Sequence, residues 1–434
     1  MVRLGPISGA LLIVANMIGV GVFTTTGYMA SAIPSPPAIL LAWLAGGVAA
    51  LCGALTYAEL GAAFPRNGGE YQLLSRLYHP ALGFCAGWVS LVVGFSAPLA
   101  LYAKAFGTYL EGVAPGVHPA AAGVTIILVL AAIHTLHVGM GSRFHDVATW
   151  GKVALILLFV AAGLLRGEPG RLTDTSAQSL GQALTSPLLA VQLVYVSFAY
   201  GGWNTTSYLA GEFVNPQRDI PRSVLAGTTL VTLLYVGLNA VFLMSAPLEE
   251  LAGQERVGHV AAGRLFGEVG GKVVSLLIVA GLVSTMSANL MAGPRVYEAI
   301  GVDYPLLGML RWRRANGGPI VAILLQAFLA ITLLVTASFS QLLTYVSVTL
   351  SLFAALTVAG AMLLRYREPE LPRPYRTWGY PLTPLVFLVL EGWMIVFAIQ
   401  KEPFASFWSF CTISAGLLGY LLVRLLTTSS GAGR

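Results

Sequence analysis

Charged residues are scarce in this sequence. They make up 10% of its 434 residues, and 56% of the residues are apolar, whereas soluble domains carry about 25% charged residues. This shortage excludes an ordinary soluble fold. Because one membrane-spanning helix needs about 20 residues, twelve spans would use about 240 residues and leave no room for a sizeable soluble domain. The composition therefore predicts an all-α polytopic membrane protein.

Cysteine is also scarce. The three cysteines, Cys52, Cys85 and Cys411, all lie inside apolar runs, so they offer neither a disulfide framework nor paired metal ligands. His134 and His137 close a predicted span near a membrane surface, where histidines are more often interfacial than metal-bound. We therefore expect no metal and no cofactor.

Twelve apolar runs of spanning length are separated by charged residues or by Pro and Gly clusters. They cover residues 7–32, 37–63, 80–110, 118–138, 143–166, 187–211, 221–246, 273–300, 319–337, 339–364, 381–400 and 404–426. An even number of spans places both termini on one side. Sixteen of the 24 Lys and Arg residues fall on that side and six on the other, so the positive-inside rule makes both termini cytoplasmic. The net charge of +6 follows from this loop asymmetry, and no nucleic-acid partner is expected.

Two spans contain glycine pairs where a continuous helix would be expected. Gly19 and Gly21 flank Val20 in span 1, and Gly201 and Gly202 lie in span 6, five spans later. Broken helices at matching positions of two halves indicate a secondary transporter whose binding site lies where half-helix ends meet. We therefore predict one transmembrane domain over 1–434, with inverted repeats at 7–166 (spans 1–5) and 187–364 (spans 6–10), followed by spans 11 and 12 at 381–426.

The chemistry of such breaks suits a zwitterion. An unwound segment leaves N–H groups at the start of one half-helix and carbonyl groups at the end of the other. A carboxylate suits the first end and an ammonium the second, and glycine lets a ligand approach the backbone. The alternative is that the glycines serve close helix packing, which is the commoner role of a single isolated pair. Two pairs in matching positions favour the binding site.

Several stretches resemble the signatures of the amino acid/polyamine/organocation (APC) transporters. Asn16–Phe23 resembles the first-span signature, and Gly53–Gly61 followed by Gly68–Tyr71 resembles the second. Phe198–Asn204 is similar to the sixth-span motif of the L-type amino acid transporter (LAT) branch, and Glu212–Arg222 resembles the loop that follows it. The resemblance covers spans 1–8 well and spans 9–12 mainly by pattern. It implies a LeuT-like fold with twelve transmembrane helices, a 5+5 inverted repeat and broken helices 1 and 6.

The resemblance also implies a set of binding residues. The substrate carboxylate would meet the backbone of the first glycine loop, formed by Gly19, Val20 and Gly21. The ammonium would meet backbone carbonyls at four positions, Ile18, Phe198, Ala199 and Gly201. Phe198 would also gate the site, and Tyr200 and Asn204 would support the unwound segment.

Two positions depart from the family pattern. Many members have Ser where this chain has Val20, so a hydroxyl donor is missing, although the backbone N–H groups are kept. In span 8, Asn289 lies two residues closer to Arg295 than the family pattern leads us to expect. No single contact from span 8 is therefore assigned.

Ionisable residues inside membrane spans are costly and therefore point to function. Lys152 in span 5 matches the family lysine that, in sodium-independent members, resembles a built-in replacement for a sodium ion bridging spans 1 and 8; the same group could exchange a proton. The alternative is a side chain that extends to the membrane surface, which is the favoured interpretation for Lys104 in span 3. Glu391, midway along span 11, could be a proton site, a subunit contact or a neutral buried acid.

We expect a carrier of neutral L-amino acids that works by alternating access, through sodium-independent exchange or linked to protons. An enzyme is not expected, since the sequence offers no set of nucleophile and base, paired carboxylates or metal ligands. The alternatives are a cationic amino acid or polyamine antiporter and, less favoured, a transporter-like nutrient sensor. The loop after span 3 lacks the cysteine that links animal LAT proteins to a partner, so no disulfide-linked subunit is expected. The expected location is a plasma membrane, taken to be the inner membrane of a prokaryote.

Overall fold

The computed structural model describes residues 4–136, 142–175, 178–313 and 317–431, with the backbone alone described at 142–148 and 428–431. Within these ranges the chain forms α-helices joined by short 3₁₀ and π segments. Outside the helices, the described residues form only two isolated β-bridges, Leu4 with Phe213 and Arg313 with Pro319. The prediction of an all-α protein is confirmed.

Eighteen α-helices follow one another along the described chain. They are α1 (Pro6–Met17), α2 (Gly21–Ala32), α3 (Pro36–Ala63), α4 (Glu70–Leu77), α5 (Pro80–Val89), α6 (Ala97–Val113), α7 (Pro119–Leu136), α8 (Ser142–Arg166), α9 (Leu180–Thr185), α10 (Pro187–Tyr200), α11 (Thr205–Tyr208), α12 (Pro216–Ser245), α13 (Leu248–Leu251), α14 (Val257–Asp303), α15 (Ile320–Thr336), α16 (Phe339–Arg367), α17 (Leu382–Lys401) and α18 (Pro403–Gly431). A π segment, Ser90–Ser96, joins α5 to α6.

Proline marks the start of many of these helices. It occupies the first position of seven, at Pro6, Pro36, Pro80, Pro119, Pro187, Pro216 and Pro403. The proline ring presets a helical φ, and its missing N–H would have no partner at that position. The predicted spans accordingly begin close to the observed helices. Two helices are exceptions. Helix α12 begins five residues before its predicted span, because its first turn contains the polar residues Gln217, Arg218 and Asp219. Helix α14 begins at Val257, 16 residues before the predicted start of span 8 at residue 273.

Nine helical stretches of the described chain are long and apolar enough to cross a membrane. Helices α1 and α2 together pass the same test and are bent by 43° at their junction, which makes a tenth span. The shorter apolar helices α10 and α15 lie where spans 6 and 9 are predicted. The polytopic character is confirmed, and the exact number of twelve stays a prediction.

The helices differ in how deeply they lie in the bundle. In the apolar window of α5–α6, 78% of the residues are buried, and in α3 and α16 the share is 61%, so these helices form the interior. The window of α18 is only 17% buried, and that of α7 22%. Their exposed apolar residues, such as Leu421 and Leu425 on α18, form the kind of surface that lipid covers.

A buried carboxylate fastens one end of α3. Arg365 near the end of α16 donates to both carboxylate oxygens of Glu59, with Nε at 2.9 Å from Oε1. The backbone N–H and the hydroxyl of Thr377 each donate to Oε2 at 2.7 Å, and Arg373 lies 3.4 Å from Oε1. Glu59 is 4% exposed. A charge buried to this extent is tolerated only because its oxygens are fully paired.

Candidate functional site

The first predicted break is present in the structure. Helix α1 ends at Met17, and α2 begins at Gly21. Between them Ile18 leaves the helical conformation (φ −73°, ψ 85°), and the N–H of Gly19 turns back to donate to the carbonyl of Met17 at 2.8 Å. The first N–H groups of α2 therefore have no preceding helical turn to bind.

The second predicted break is also present. Helix α10 ends at Tyr200, and the chain passes through Gly201 and Gly202 before α11 begins at Thr205. Gly202 has a φ of +110°, which side-chain-bearing residues rarely adopt. The predicted span ran to residue 211 as one apolar stretch, but beyond the break only the four-residue α11 and a 3₁₀ turn, Ala210–Glu212, are helical.

The two breaks pack against each other. A Cβ atom added to Gly21 would lie 2.7 Å from the Cα atom of Ala199, so the start of α2 touches the end of α10 with no room for a side chain. A Cβ atom on Gly202 would lie 3.0 Å from the carbonyl carbon of Asn16 in α1. Absence of side chains at these two glycines is what permits the contact.

A tyrosine from a third helix joins the carbonyl ends of both broken helices. Tyr235 of α12 has its hydroxyl within hydrogen-bond distance of the Met17 carbonyl, and 3.0 Å from the Ala199 carbonyl. One hydroxyl hydrogen can serve only one of these carbonyls at a time. Because the Met17 carbonyl also accepts from the Gly19 N–H, the Ala199 carbonyl is the one that lacks this donor when Tyr235 bonds to Met17. Sequence reasoning did not single out Tyr235.

The predicted binding residues are unequally exposed. Ile18, Gly19, Val20, Gly21 and Ala199 are buried at the junction. Phe198, the predicted gate, is half-buried, while Gly201 is exposed. A Cβ atom on Gly201 would meet only backbone atoms of its own helix, the nearest being the Phe198 carbonyl oxygen at 3.0 Å. Gly21, rather than Gly201, is thus the point of closest contact between the breaks.

Asn204 is connected to a buried acid. Its side-chain amide donates to Oε1 of Glu70 at 3.1 Å, and the hydroxyl of Tyr57 donates to the same oxygen at 2.7 Å. Glu70 is 4% exposed and begins α4. Sequence reasoning quoted Glu70 within a motif but gave it no role.

The loop before Glu70 also binds the segment that follows the second break. The N–H of Gly68 donates to the Tyr208 carbonyl at 3.3 Å, and the N–H of Gly69 donates to the Ser207 carbonyl at 3.2 Å. Because α11 is too short to satisfy its own carbonyls, the loop supplies donors that a longer helix would provide. The hydrogen bond from Asn204 to Glu70 connects the same two segments. From the sequence, Asn204 is expected to support the unwound segment, and that role stays a prediction.

Lys152 is placed beside the first break. Its side chain is 8% exposed, and Nζ donates to the hydroxyl of Thr285 in α14 at 2.6 Å. That hydroxyl lies 3.4 Å from the Ile18 carbonyl. Lys152, Ile18 and Thr285 line one cavity with Gly19. Among the described residues no carboxylate lies within ion-pair distance of Nζ.

The link from span 5 to spans 1 and 8 therefore runs through a hydroxyl. The resemblance implied an ammonium that meets backbone carbonyls directly. In the structure Nζ donates to Thr285, whose hydroxyl lies 3.4 Å from the Ile18 carbonyl and 3.1 Å from the Gly281 carbonyl of its own helix. A side chain extended to the surface does not describe Lys152, because the group is enclosed by protein.

Other candidate residues lie away from the breaks. Asn289 accepts from the Gln326 amide at 2.8 Å, so it faces α15. The His134 ring lies 2.9 Å from the Ser287 hydroxyl, and Lys104 is half-buried. His137 lies outside the described residues. Across the described chain no group of three or more His, Cys, Asp or Glu side chains is arranged to hold a metal.

Apolar membrane-crossing helices with two unwound segments packed against each other define an α-helical carrier of the membrane. The profile of the amino acid permease family matches residues 4–422, and the chain belongs to this family. The family resemblance and the all-α polytopic fold class are thereby confirmed, while the twelve spans and the 5+5 repeat stay predictions.

Three similar proteins illustrate the relationship. Over 413 residues the chain is 28% identical to the large neutral amino acids transporter small subunit 2 of Mus musculus, covering 92% of this chain and 77% of the relative. It is 27% identical over 416 residues to the Asc-type amino acid transporter 1 of Mus musculus, covering 92% and 77%. It is 26% identical over 431 residues to the b(0,+)-type amino acid transporter 1 of Homo sapiens, covering 97% and 87%.

Proposed function

We propose that this protein carries neutral L-amino acids across the plasma membrane by alternating access. The observation that carries the proposal is the contact of two unwound helices at Gly21 and Ala199. Since the relatives are named as amino acid transporters, they support the same class of substrate, and they support a carrier rather than an enzyme.

The ends of the broken helices supply complementary charges for a zwitterion. The substrate carboxylate would bind the N–H groups around Gly19, Val20 and Gly21, where the positive end of the α2 dipole lies. The ammonium would bind carbonyls of Ile18, Phe198, Ala199 and Gly201, at the negative ends of α1 and α10. Of these four carbonyls only that of Ala199 lies within hydrogen-bond distance of the Tyr235 hydroxyl, and it is free for the ammonium when the hydroxyl donates to Met17 instead.

Lys152 supports transport without sodium. Its ammonium lies close to the junction of α1 and α14, where a cation is held by the protein itself. Exchange and proton linkage are both compatible with this resident charge. A cationic substrate would instead need a carboxylate facing the junction, and the nearby Glu70 is occupied by Tyr57 and Asn204.

The remaining features of the proposal concern topology and partners. We place both termini in the cytoplasm on the basis of the loop charges. We further propose that the membrane is the inner membrane of a prokaryote. The division into repeats at 7–166 and 187–364, with 381–426 appended, belongs to the same proposal. The amino acid is the small-molecule partner and the bilayer its surroundings, with no disulfide-linked subunit.

The test of function is uptake into proteoliposomes that are preloaded with an unlabelled amino acid mixture. We expect labelled neutral amino acids to enter in the absence of sodium, faster than into protein-free liposomes. Uptake of polyamines or cationic amino acids alone would contradict the proposed substrate class, and strict dependence on sodium would contradict the role of Lys152.

A pair of tryptophan variants tests the location of the site. Gly201 and Gly392 are both exposed, and an added Cβ would meet no side chain of another residue at either position. Gly201→Trp should abolish uptake by filling the junction, whereas Gly392→Trp on α17 should leave it near the wild-type rate. Equal uptake by the two variants, with equal amounts of folded protein, would move the site elsewhere.

A further inference from the structure

Glu391 is a buried acid that the substrate site does not use. It lies in α17 and is 4% exposed, and its Oε2 atom has no hydrogen-bond partner. A buried polar atom without a partner is costly, and a carboxylate without a counter-charge is far costlier. A group retained in such a position in a membrane protein points to a function.

The carboxyl group faces a cavity between three helices. The cavity is lined by residues of α3, α10 and α17, among them Gly46, Ser197, Tyr200 and Glu391. Ser197 and Tyr200 belong to the last turn of α10, the turn that also contains the proposed gate Phe198 and ends at the second break. The cavity therefore lies behind the segment that alternating access must move.

Among the described residues that line this cavity, no cationic side chain lies beside Glu391 to neutralise a negative charge. From α10 the cavity receives the Ser197 hydroxyl and one titratable side chain, Tyr200, whose hydroxyl donates to the Trp43 carbonyl at 3.0 Å. The residues that α3 contributes are alanines and a glycine, and α16 brings the Ser351 hydroxyl towards the carboxyl group. No described residue of α18 lines the cavity, and no Lys, Arg or His does.

We propose that Glu391 is a proton-binding site of the transport cycle. This inference rests on the proposed amino acid transport and assigns its coupling ion. With the cavity closed, the carboxyl group holds a proton, because the ionised form would be buried without a counter-charge. When the last turn of α10 moves, water reaches the cavity and the proton passes from Oε2 to water. The carboxyl group regains a proton from water on the opposite side before the cavity closes.

Lys152 does not take this role in the proposal. Its ammonium is hydrogen-bonded to Thr285, and it has a structural task at the first break. Glu391 has an unsatisfied oxygen and lies against the second break. The two buried ionisable groups thus serve different helices.

Infrared difference spectroscopy tests the proton site without relying on transport. Purified full-length protein in lipid nanodiscs is compared with Glu391→Gln and with Glu249→Gln, which makes the same chemical change at an exposed carboxyl of the short helix α13. We expect wild type and Glu249→Gln to show a band from a protonated carboxyl that responds to pH and to a mixture of L-leucine, L-serine and L-phenylalanine. Glu391→Gln should lack that band. A band that persists in Glu391→Gln, or one that responds to neither pH nor amino acids, would overturn the proposal.

Uptake under a pH gradient provides the second readout. An acidic exterior should raise amino acid uptake several-fold in wild type and in Glu249→Gln, and Glu391→Gln should show no such stimulation. Stimulation retained by Glu391→Gln would refute the assignment. If the infrared band behaves as expected while no amino acid enters the liposomes, the proton site stands and the proposed substrate class fails.

Discussion

Replacing Gly21 by alanine should separate the two breaks. The added Cβ would lie 2.7 Å from both the Cα and the Cβ atoms of Ala199, whereas ordinary contacts begin at 3.4 Å. The start of α2 and the end of α10 must therefore move apart by about 0.7 Å at least. The nearest obstacle includes backbone, so no flexible side chain can give way. Overpacking of this kind costs about 1–3 kcal/mol.

That strain acts on the geometry that the substrate would bind. If the whole cost falls on the binding-competent arrangement, uptake at low substrate concentration should fall by about 5- to 140-fold, since 1.4 kcal/mol corresponds to about a factor of ten. The assay is initial uptake in proteoliposomes, normalised to the amount of folded protein recovered. Gly392→Ala is the matched control, because its Cβ would meet no atom within 4 Å. Wild-type uptake by Gly21→Ala would refute the reasoning, because a junction that accepts the methyl group is not tightly packed.

Three further perturbations address separate contacts. Lys152→Met should slow uptake at least several-fold by removing the cation beside the first break, and wild-type uptake would show that this cation is not needed for transport. Tyr235→Phe removes the donor shared by two helix-end carbonyls and should lower stability by about 0.5–1.5 kcal/mol, read as a lower melting temperature in detergent. Arg365→Ala removes two hydrogen-bond donors from the buried Glu59 carboxylate and should lower the free energy of unfolding by about 1–3 kcal/mol. Arg76→Ala breaks an exposed ion pair and should lower it by at most about 1 kcal/mol. Similar melting temperatures for these two arginine variants would show that burial of the pair is unimportant.

The breaks in spans 1 and 6 could be predicted because the sequence pattern that indicates them is local. Glycine pairs inside apolar runs are visible in sequence, and each pair lies where the structure leaves the helix. The starts of the helices were predictable for a similar reason, since proline marks many of them. The length of the second half of span 6 was not predictable. Residues 205–211 carry no charge that would end a span, although the chain there binds the Gly68–Gly69 loop instead.

The partners of the predicted residues could not be read from the sequence. Tyr235 lies 218 residues from Met17, and Thr285 lies 133 residues from Lys152. Each meets its partner only because helices distant in the chain pack side by side, and a single Tyr or Thr in an apolar span carries no signal of that contact. Glu70 illustrates the same limit. It follows a loop that contains the charged residue Arg66, so its burial against Asn204 could not be predicted.

The loop before α4, at Gly68 and Gly69, also constrains how span 6 can move. The backbone N–H groups of Gly68 and Gly69 donate to carbonyls of the segment after the second break. The Asn204 side chain in turn donates to Glu70. Breaking those bonds during every cycle would expose several polar groups at once, so we expect the segment and α4 to move together. We then expect span 6 to bend before Asn204, at Gly201 and Gly202, because glycine restricts the backbone dihedral angles least. In span 6, we therefore expect α10 to move relative to the segment after the break, which stays bound to α4.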